Sequence, residues 1–248
     1  MLFRGLNYMS EVISVLEWDS LFFGGRTGIV TDCCRVPGYV ELTRYKFVHV
    51  RIPQDKSELV WKYQGIGFRY ITVDYVLEKA LFDEPKTVKH GGAYTLYFLH
   101  REQPFFLIKG FDVSGSRMLI DPELSQHIDE NFWDERIKEH CNEFADFVLC
   151  AVNNENKLIG FISCFEKQES INMFLVVVHP MFKRIGIGKT LIKALELFAY
   201  KAGKKLTTSV VSNNLDAMNF YFLQGFVVVQ AYIVMHFSRE LKCKDVVI

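Results

Sequence analysis

The stretch from Phe174 to Leu191 places the strongest constraint on what this chain can fold into. It consists of an apolar strand ending at Val178, a loop containing Gly186 and Gly188, and an amphipathic helix. Amide N–H groups at a helix N-terminus point outward and carry partial positive charge, so they can hold a phosphate or diphosphate. Glycine lets the backbone approach such an anion closely. The segment therefore predicts a strand–loop–helix unit that binds an anion.

Three basic residues, Lys183, Arg184 and Lys189, would add charge-assisted contacts to the anion. The two glycines are too close together for the phosphate loop of nucleotide hydrolases, which needs Gly-x4-Gly-Lys-Ser/Thr. The three-glycine dinucleotide fingerprint is also incomplete, because residue 191 is leucine. For a glycine pair taken alone, a plain strand–helix turn stays an alternative.

The rest of the second half alternates strands and helices. Apolar β-rich runs predict strands over 147–152, 158–166, 171–178, 206–211 and 227–237. Helical patterns cover 190–202 and 215–224, and Asp121-Pro122 is expected to open a helical stretch through Ala145. We predict a mixed α/β sheet, mostly antiparallel, which splays between the strands ending at Val178 and Val211.

The first hundred residues contain a shorter version of the same pattern. A helix over 57–63 is followed by a strong strand over 68–77. Tyr63 and Tyr221 each begin the pattern Tyr-x3-Gly-Phe, and each copy lies between a helix and a long apolar strand. This echo favours a degenerate duplication. We predict a partial N-terminal unit over 1–100 and a complete unit over 104–248.

Composition excludes several classes of function. Lys plus Arg (29) equals Asp plus Glu (29), so there is no global positive field to gather nucleic acid or anionic lipid. The six cysteines form no CxxC pair and no His/Cys cluster with zinc spacing, so we expect reduced core thiols and no metal. Apolar runs are too short for a bilayer, and the N-terminus lacks a signal peptide. We expect a cytoplasmic protein without a membrane span or a nucleic-acid partner.

The loop resembles the signature of the GNAT acetyltransferase superfamily in its spacing Val178-x-Pro180-x2-Lys183-x2-Gly186-x-Gly188. Lys183 stands where that family has Gln or Arg, which keeps a donor and loses bidentate geometry. The second family element matches at Asn214-x2-Ala217-x3-Tyr221-x3-Gly225-Phe226. The resemblance covers about residues 105–240, and it implies a GNAT fold with a partial copy in front.

The same resemblance implies acetyl-CoA as co-substrate. In that family the strand backbone pairs with the pantetheine arm and the loop amides hold the diphosphate. The implied cofactor-binding residues are Val176, Val177, Val178, Lys183, Arg184, Ile185, Gly186, Ile187, Gly188, Lys189, Thr190 and Asn214.

Tyr221 is implied as the catalytic residue that gives a proton to the departing thiolate. With an ordinary pKa of about 10, a tyrosine is protonated at neutral pH; the alternative role is a core aromatic. An amide near 176–178, at a splay or bulge, is expected to polarise the acetyl carbonyl. No general base is assigned, because Glu166, Glu169 and His179 are each expected to be solvated surface groups.

The opening segment 16–24 resembles bacterial dTDP-fucosamine N-acetyltransferases, which acetylate the 4-amino group of a nucleotide-linked deoxysugar. Ser116-Arg117 followed by Asp121, and Tyr232 followed by His236, are also similar to those enzymes. A nucleotide-sugar diphosphate would need a cation such as Arg117. Trp18 and Phe23 could stack on the base or sugar, and so could Phe22 and Trp133. Filling an aromatic core is the alternative role for each ring.

Other functions stay open at this point. The acceptor could be a polyamine, an antibiotic or a protein N-terminus, although no acidic run favours basic peptides. A non-catalytic acyl-CoA-binding module would be expected to lose Tyr221. The sequence leaves open whether the chain forms a homodimer.

Overall fold

The computed structural model describes residues 12–85, 92–99, 106–107, 110–111, 115–128 and 130–239. Within them the strands are β1 Ile13–Val15, β2 Thr27–Val30, β3 Phe47–Pro53, β4 Arg69–Lys79, β5 Tyr94–Leu99, β6 Phe106–Leu107, β7 Phe147–Asn153, β8 Lys157–Glu166, β9 Ser170–Val178, β10 Lys205–Val211 and β11 Val227–Ser238. The helices are α1 Glu17–Phe22, α2 Tyr39–Leu42, α3 Glu58–Gly65, α4 Arg117–Ile120, α5 Glu130–Glu139, α6 Ile187–Lys201 and α7 Leu215–Leu223.

All these strands join one sheet with the order β1-β2-β3-β11-β4-β10-β9-β8-β7-β5, and β6 pairs with β8. Pairing is mostly antiparallel; β2–β3, β6–β8 and β9–β10 are parallel. The predicted mixed, mostly antiparallel α/β fold is confirmed. Within the described residues, none of the helices is long and apolar enough to span a membrane.

Helices cover both faces of the sheet. On one face, α6 and α7 pack on β8, β9 and β10 around Leu191, Leu195 and Tyr221, and α3 packs on β3 and β11 through Leu59 and Tyr63. The other face is covered by α1, α4 and α5, partly through an aromatic cluster centred on Phe132. Because side chains alternate across each strand, the two faces of β4 and β11 carry different chemistry.

The sheet contains an internal repeat with a constant offset. Tyr63 and Tyr221 are separated by 158 positions, and β3 and β10 (Phe47–Pro53 and Lys205–Val211) match at the same separation. At the centre of the β4–β11 pairing, Asp74 lies opposite Tyr232, also 158 positions later. A pseudo-twofold axis therefore passes between these two strands, which supports the predicted duplication.

The β-bulges obey the same symmetry. The β4–β11 register shifts by one residue at Ile71 on β4 and at Val229 on β11, again 158 positions apart. Gly67 and Gly225 precede the two strands with φ of 97° and 83°, a conformation in which a side chain is strained. The last strand of each half crosses over and pairs with the strand before the last in the other half, β4 with β10 and β11 with β3.

The two halves differ where the chain passes from the first to the second parallel strand. Between β9 and β10 it forms the 15-residue helix α6. Between β2 and β3 it forms only the four-residue α2. Between β2 and β3, a segment that the structure describes throughout, there is thus no counterpart of the predicted anion-binding loop and its long helix.

The largest differences between the predicted and the observed elements lie in two places. The helical stretch expected from Asp121 to Ala145 is divided into a 3₁₀ turn at Ser125–His127, helix α5, and a π-helix at His140–Phe144. Strand β5, counted with the N-terminal unit in the sequence, pairs with β7. Since β4 lies between β10 and β11, the two predicted units share one sheet, and their division into domains stays a prediction.

Candidate functional site

The loop before α6 has a backbone shaped to surround an anion. Arg184 and Gly186 both adopt left-handed conformations, with φ of 65° and 93°. Thr190 N–H donates to the Gly186 carbonyl over 2.9 Å as the first helical bond, so the amides of residues 187–189 have no acceptor within the helix. Such alternating backbone turns aim successive N–H groups into one concavity.

The side chains around this loop leave the concavity open. Lys183, Arg184, Ile185 and Gly186 are exposed. A Cβ atom placed on Gly186 would have nothing within 4 Å, so the requirement for glycine here is its φ angle. Open space beside outward-pointing amides is what a bound diphosphate needs.

In the same segment, Gly188 and Thr190 have structural roles. A Cβ on Gly188 would lie 3.3 Å from the Phe220 ring, so this glycine allows α6 and α7 to approach each other. The Thr190 hydroxyl donates to the Gly186 carbonyl over 3.1 Å. These contacts fix the geometry of the loop from inside, whereas Lys189 is exposed at its rim.

The sheet opens beside this loop. Parallel pairing between β9 and β10 ends at Met173 and Thr208, although the strands continue to Val178 and Val211. The predicted splay is thereby confirmed. Val176, Val177 and Val178 pair with β8 on one side and have no β10 partner on the other. Their free backbone edge faces the opening.

A β-bulge lies at the closed end of the opening. The β8–β9 register shifts between Cys164–Met173 and Ser163–Leu175, so Phe174 is the extra residue. The bulge expected near 176–178 thus occurs earlier, directly after the last pair that β9 makes with β10. Bulges redirect backbone groups, and this one lies where the strands separate.

Tyr221 points to the same place from α7. Its side chain is buried and its ring packs on Phe226 with a centroid distance of 5.4 Å. The Thr208 hydroxyl, which interacts with the phenol, donates to the Met173 carbonyl over 2.9 Å. Burial raises the pKa of Tyr221 to about 12, and the bond to Thr208 acts in the opposite direction. The phenol is therefore protonated at neutral pH.

Asn214 holds two parts of the structure together. Its side-chain oxygen accepts from Ala217 N–H over 3.1 Å and so caps α7. A Cβ on Gly115 would lie 1.9 Å from the Asn214 amide nitrogen, so the segment before α4 packs directly on this side chain. The contact with the cofactor stays a prediction.

The three acidic or basic candidates for a general base differ in surroundings. Glu166 and Glu169 are exposed as expected, and Glu166 pairs with Lys204 over 2.6 Å. The expectation for His179 is wrong, because the side chain is only 5% exposed. It packs edge-on against Phe111, and its Nδ1 accepts from Met181 N–H over 3.3 Å.

Arg117 begins α4 and lies on the opposite face of the sheet from Tyr221. Burial lowers the pKa of its guanidinium, and the carboxylates of Asp74 and Asp19 oppose that shift. It belongs to a group of polar residues that lies between helices α1 and α4 on one side and strands β3, β4 and β11 on the other. We call this group the interface cluster. The members of the interface cluster are Asp19, His49, Arg51, Asp74, Arg117, Asp121 and His236.

The interface cluster combines ion pairs with unused polar atoms. Arg51 pairs with Asp74 over 2.8 Å, and His236 Nδ1 lies 2.7 Å from the Asp121 carboxylate. Among the described residues, Arg117 Nε, His49 Nδ1 and His236 Nε2 are buried without a hydrogen-bond partner. Such atoms are rare in folded proteins and indicate that water or a ligand completes them. Sequence reasoning assigned a role to Arg117, named Asp121 and His236 only as part of a resemblance, and missed His49, Arg51 and Asp74.

Trp18 and Phe23 lie in an aromatic cluster between α1 and α5. The Trp18 ring stacks on Phe22 at 5.6 Å and is covered by the Arg136 guanidinium at 4.3 Å. Phe23 is buried, with its ring 6.2 Å from that of Phe132. These contacts stabilise the fold, and a stacking role toward an acceptor stays a prediction for both residues.

His140 is a further residue that the sequence did not reveal. It begins the π-helix and is 1% exposed, and its ring stacks on the bulge residue Phe174 at 5.1 Å. Neither ring nitrogen has a partner within the described part of the chain. Burial lowers the pKa of His140 to about 3, so the ring is neutral. A neutral histidine thus lies beside the opening, on the face opposite Tyr221.

Comparison with known proteins agrees with this architecture. Residues 115–226 match the acetyltransferase (GNAT) family. A GCN5-related N-acetyltransferase from Sphaerobacter thermophilus is 15% identical with a TM-score of 0.51, over 77% of this chain and 59% of that one. A protein from Staphylococcus epidermidis is 14% identical with a TM-score of 0.56, over 95% of this chain and 94% of that one.

A tandem GNAT protein from the clavulanic acid biosynthesis pathway is 12% identical with a TM-score of 0.54, over 87% of this chain and 76% of that one. At these identities the likeness establishes the GNAT fold. The chain spans less than two thirds of the Sphaerobacter protein. No curated protein sequence matches the chain.

The buried histidines predict a loss of stability in mild acid. Burial lowers the pKa of His236 to about 4 and of His140 to about 3, whereas unfolded histidine titrates near 6.5. Between about pH 6.5 and 4 the unfolded chain binds protons that the folded chain does not, so the free energy of unfolding falls as pH falls. Urea unfolding across this range measures the slope, at roughly 1 kcal/mol per pH unit for each histidine.

The variant His140→Phe separates one contribution. The new ring keeps the stacking on Phe174 and removes two unpartnered nitrogens, so we expect higher stability at pH 5 and a shallower slope than in the parent protein. Equal slopes in the two proteins would contradict a buried neutral His140.

Proposed function

We propose that this chain, with its GNAT fold, is an acetyl-CoA-dependent N-acetyltransferase. The observation that carries the proposal is the loop from Lys183 to Lys189, where two left-handed residues and three amides without an acceptor in α6 surround an open concavity. A coenzyme A diphosphate has the negative charge that such amides attract. Lys183 and Arg184 would add charge-assisted contacts.

The opening between β9 and β10 suits the rest of the coenzyme. The free backbone edge at 176–178 offers donors and acceptors to the amide groups of a pantetheine arm, which would run toward Phe174. The thioester would then lie at the closed end, between the bulge and the hydroxyl of Tyr221. Pairing an extended ligand with an open strand edge is a common mode of recognition.

Reaction at that point forms a C–N bond, breaks the C–S bond and moves one proton from the amine to the sulfur. The neutral amine nitrogen attacks the thioester carbonyl carbon, the C–S bond breaks, and the amine loses a proton while the thiolate gains one. A backbone N–H at the Phe174 bulge would stabilise the oxyanion. Tyr221 would supply a hydrogen bond, and in the end a proton, to the thiolate. A thiol with an ordinary pKa of about 8.5 leaves readily, so a weak acid suffices.

The acceptor we propose is the 4-amino group of a nucleotide-linked deoxysugar. The support is the resemblance at 16–24 and 116–121, together with the interface cluster, where Arg117 Nε and two imidazole nitrogens have no hydrogen-bond partner among the described residues. Donors and acceptors intermixed in this way match sugar hydroxyls, and the guanidinium matches a diphosphate. Another small amine or a protein N-terminus is the alternative acceptor, and a non-catalytic acyl-CoA-binding module is the alternative function.

The diphosphate site is tested by Gly186→Ala with Gly203→Ala as its matched control. Both glycines have positive φ, at opposite ends of α6, so both variants carry a similar backbone penalty. We expect Gly186→Ala to weaken coenzyme A binding about tenfold or more, equivalent to 1.4 kcal/mol, and Gly203→Ala to leave it unchanged. Titration calorimetry measures both, and absence of binding heat with the parent protein would refute the proposal.

The role of Tyr221 is tested by replacing it with phenylalanine. Loss of the hydrogen bond to the leaving thiolate is expected to lower turnover about 100-fold or more, with coenzyme A affinity retained. The matched control is Tyr63→Phe, since Tyr63 is the buried tyrosine at the equivalent position of the N-terminal half. Equal turnover in the two variants would remove Tyr221 from the mechanism.

The acceptor is identified by measuring release of coenzyme A across a panel of amines. The panel contains dTDP-4-amino-deoxysugars, the same sugars without the nucleotide, polyamines and peptides. We expect turnover with the nucleotide-linked sugars and at least tenfold less with the free sugars, because the guanidinium contact is lost. Turnover confined to peptides or polyamines would overturn the acceptor assignment, and binding without any turnover would favour the non-catalytic module.

A further inference from the structure

The N-terminal half carries a cysteine-bearing loop where the C-terminal half carries its anion-binding loop. The loop follows β2, which runs parallel to β3 as β9 runs parallel to β10. Tyr63, the counterpart of Tyr221, donates its hydroxyl to the Cys33 carbonyl over 3.1 Å. The tyrosine thus holds the loop in place instead of facing an opening.

Three potential metal ligands come together on this loop. One carboxylate oxygen of Asp32 and the sulfurs of Cys33 and Cys34 all lie within 4.8 Å of one another. Zn–S and Zn–O bonds of about 2.3 and 2.0 Å place tetrahedral ligands about 3.5 Å apart. Rotation about the side-chain bonds would bring the three atoms from within 4.8 Å of one another to that separation.

The backbone of the loop is already organised for such a site. Asp32 Oδ1 accepts from Cys34 N–H over 3.0 Å, and the Asp32 carbonyl accepts from Arg35 N–H over 3.0 Å. The other carboxylate oxygen is not used in this turn. Aspartate ligands supported by backbone hydrogen bonds keep their orientation when a metal binds.

The charges of the loop balance around a divalent cation. The Lys56 ammonium lies 3.2 Å from Cys34 Sγ, so one positive charge already stands beside this ligand. Two thiolates and one carboxylate carry three negative charges, which Lys56 and one divalent ion would neutralise. Binding would release the two thiol protons to solvent.

We propose that Asp32, Cys33 and Cys34 form a binding site for one thiophilic divalent cation, with Zn²⁺ as the best match. Thiolate and carboxylate ligands suit zinc, and a water molecule would complete the tetrahedron. Cys34 is exposed and Cys33 half-buried, so an ion can reach both. The expectation of buried core thiols is confirmed for Cys141, Cys150 and Cys164 and is wrong for Cys33 and Cys34. The sixth cysteine, Cys243, lies outside the described residues.

The site is independent of acetyl transfer, because it lies in the other half of the sheet. Its test is a titration of the reduced full-length protein with Cd²⁺, which reports thiolate ligation through an ultraviolet charge-transfer band. We expect one equivalent of Cd²⁺ with Cys33 and Cys34 as ligands, and displacement by Zn²⁺. The exposed Cys34→Ser is expected to weaken binding at least 100-fold and to leave the core intact, since this side chain lies at the surface.

A second pair of variants tests the carboxylate. Asp32→Asn is expected to weaken Cd²⁺ and Zn²⁺ binding about tenfold or more, whereas the nearby exposed Asp55→Asn leaves it unchanged. Excess Zn²⁺ should also raise the melting temperature of the parent protein and not that of Cys34→Ser. An unchanged titration in Cys34→Ser, or the absence of a band in the parent protein, would overturn the proposal.

Discussion

The antiparallel pairing of β4 with β11 is the interaction on which the rest of the structure depends. These strands come from different halves, and each is the last strand of its own half. Because β4 crosses over, it pairs with one edge of β10 along nearly the whole strand, whereas β9 pairs with the other edge of β10 only over its first residues. Strand β10 is therefore held by β4 where it separates from β9. The Lys79–Glu196 ion pair of 2.7 Å, with the glutamate almost fully buried, connects β4 to α6.

Local patterns in the sequence were sufficient to predict much of this fold. The apolar run of β9, the glycine loop and the amphipathic pattern of α6 lie within one stretch, so the predicted anion loop needs no distant partner. The helix start was set three residues late, since Gly188 lowers helix propensity yet lies inside α6 to admit Phe220. The repeated Tyr-x3-Gly-Phe pattern indicated the duplication because a turn needs glycine at the same place in both copies.

Long-range pairing explains what the sequence did not reveal. His49 and His236 lie opposite each other only because β3 and β11 are neighbours in the sheet, and nothing local in either strand indicates that. Of the residues in the interface cluster, only Arg117 was consequently assigned a role in advance. His140 appeared as one polar residue in a helical stretch, because a π-turn and a ring stacked on Phe174 leave no periodic signal. The burial of His179 likewise depends on Phe111, which is distant in the chain.

The exchange of strands between the halves has a consequence for biosynthesis. β4 leaves the ribosome long before β10 and β11 have been made, so both of its edges stay without their final partners during that interval. A strand with unpaired edges is a template for association with other chains. Translation pauses or proteolysis between the halves would leave an aggregation-prone fragment, which makes chaperone protection of the nascent N-terminal half more important than in a protein whose halves close independently.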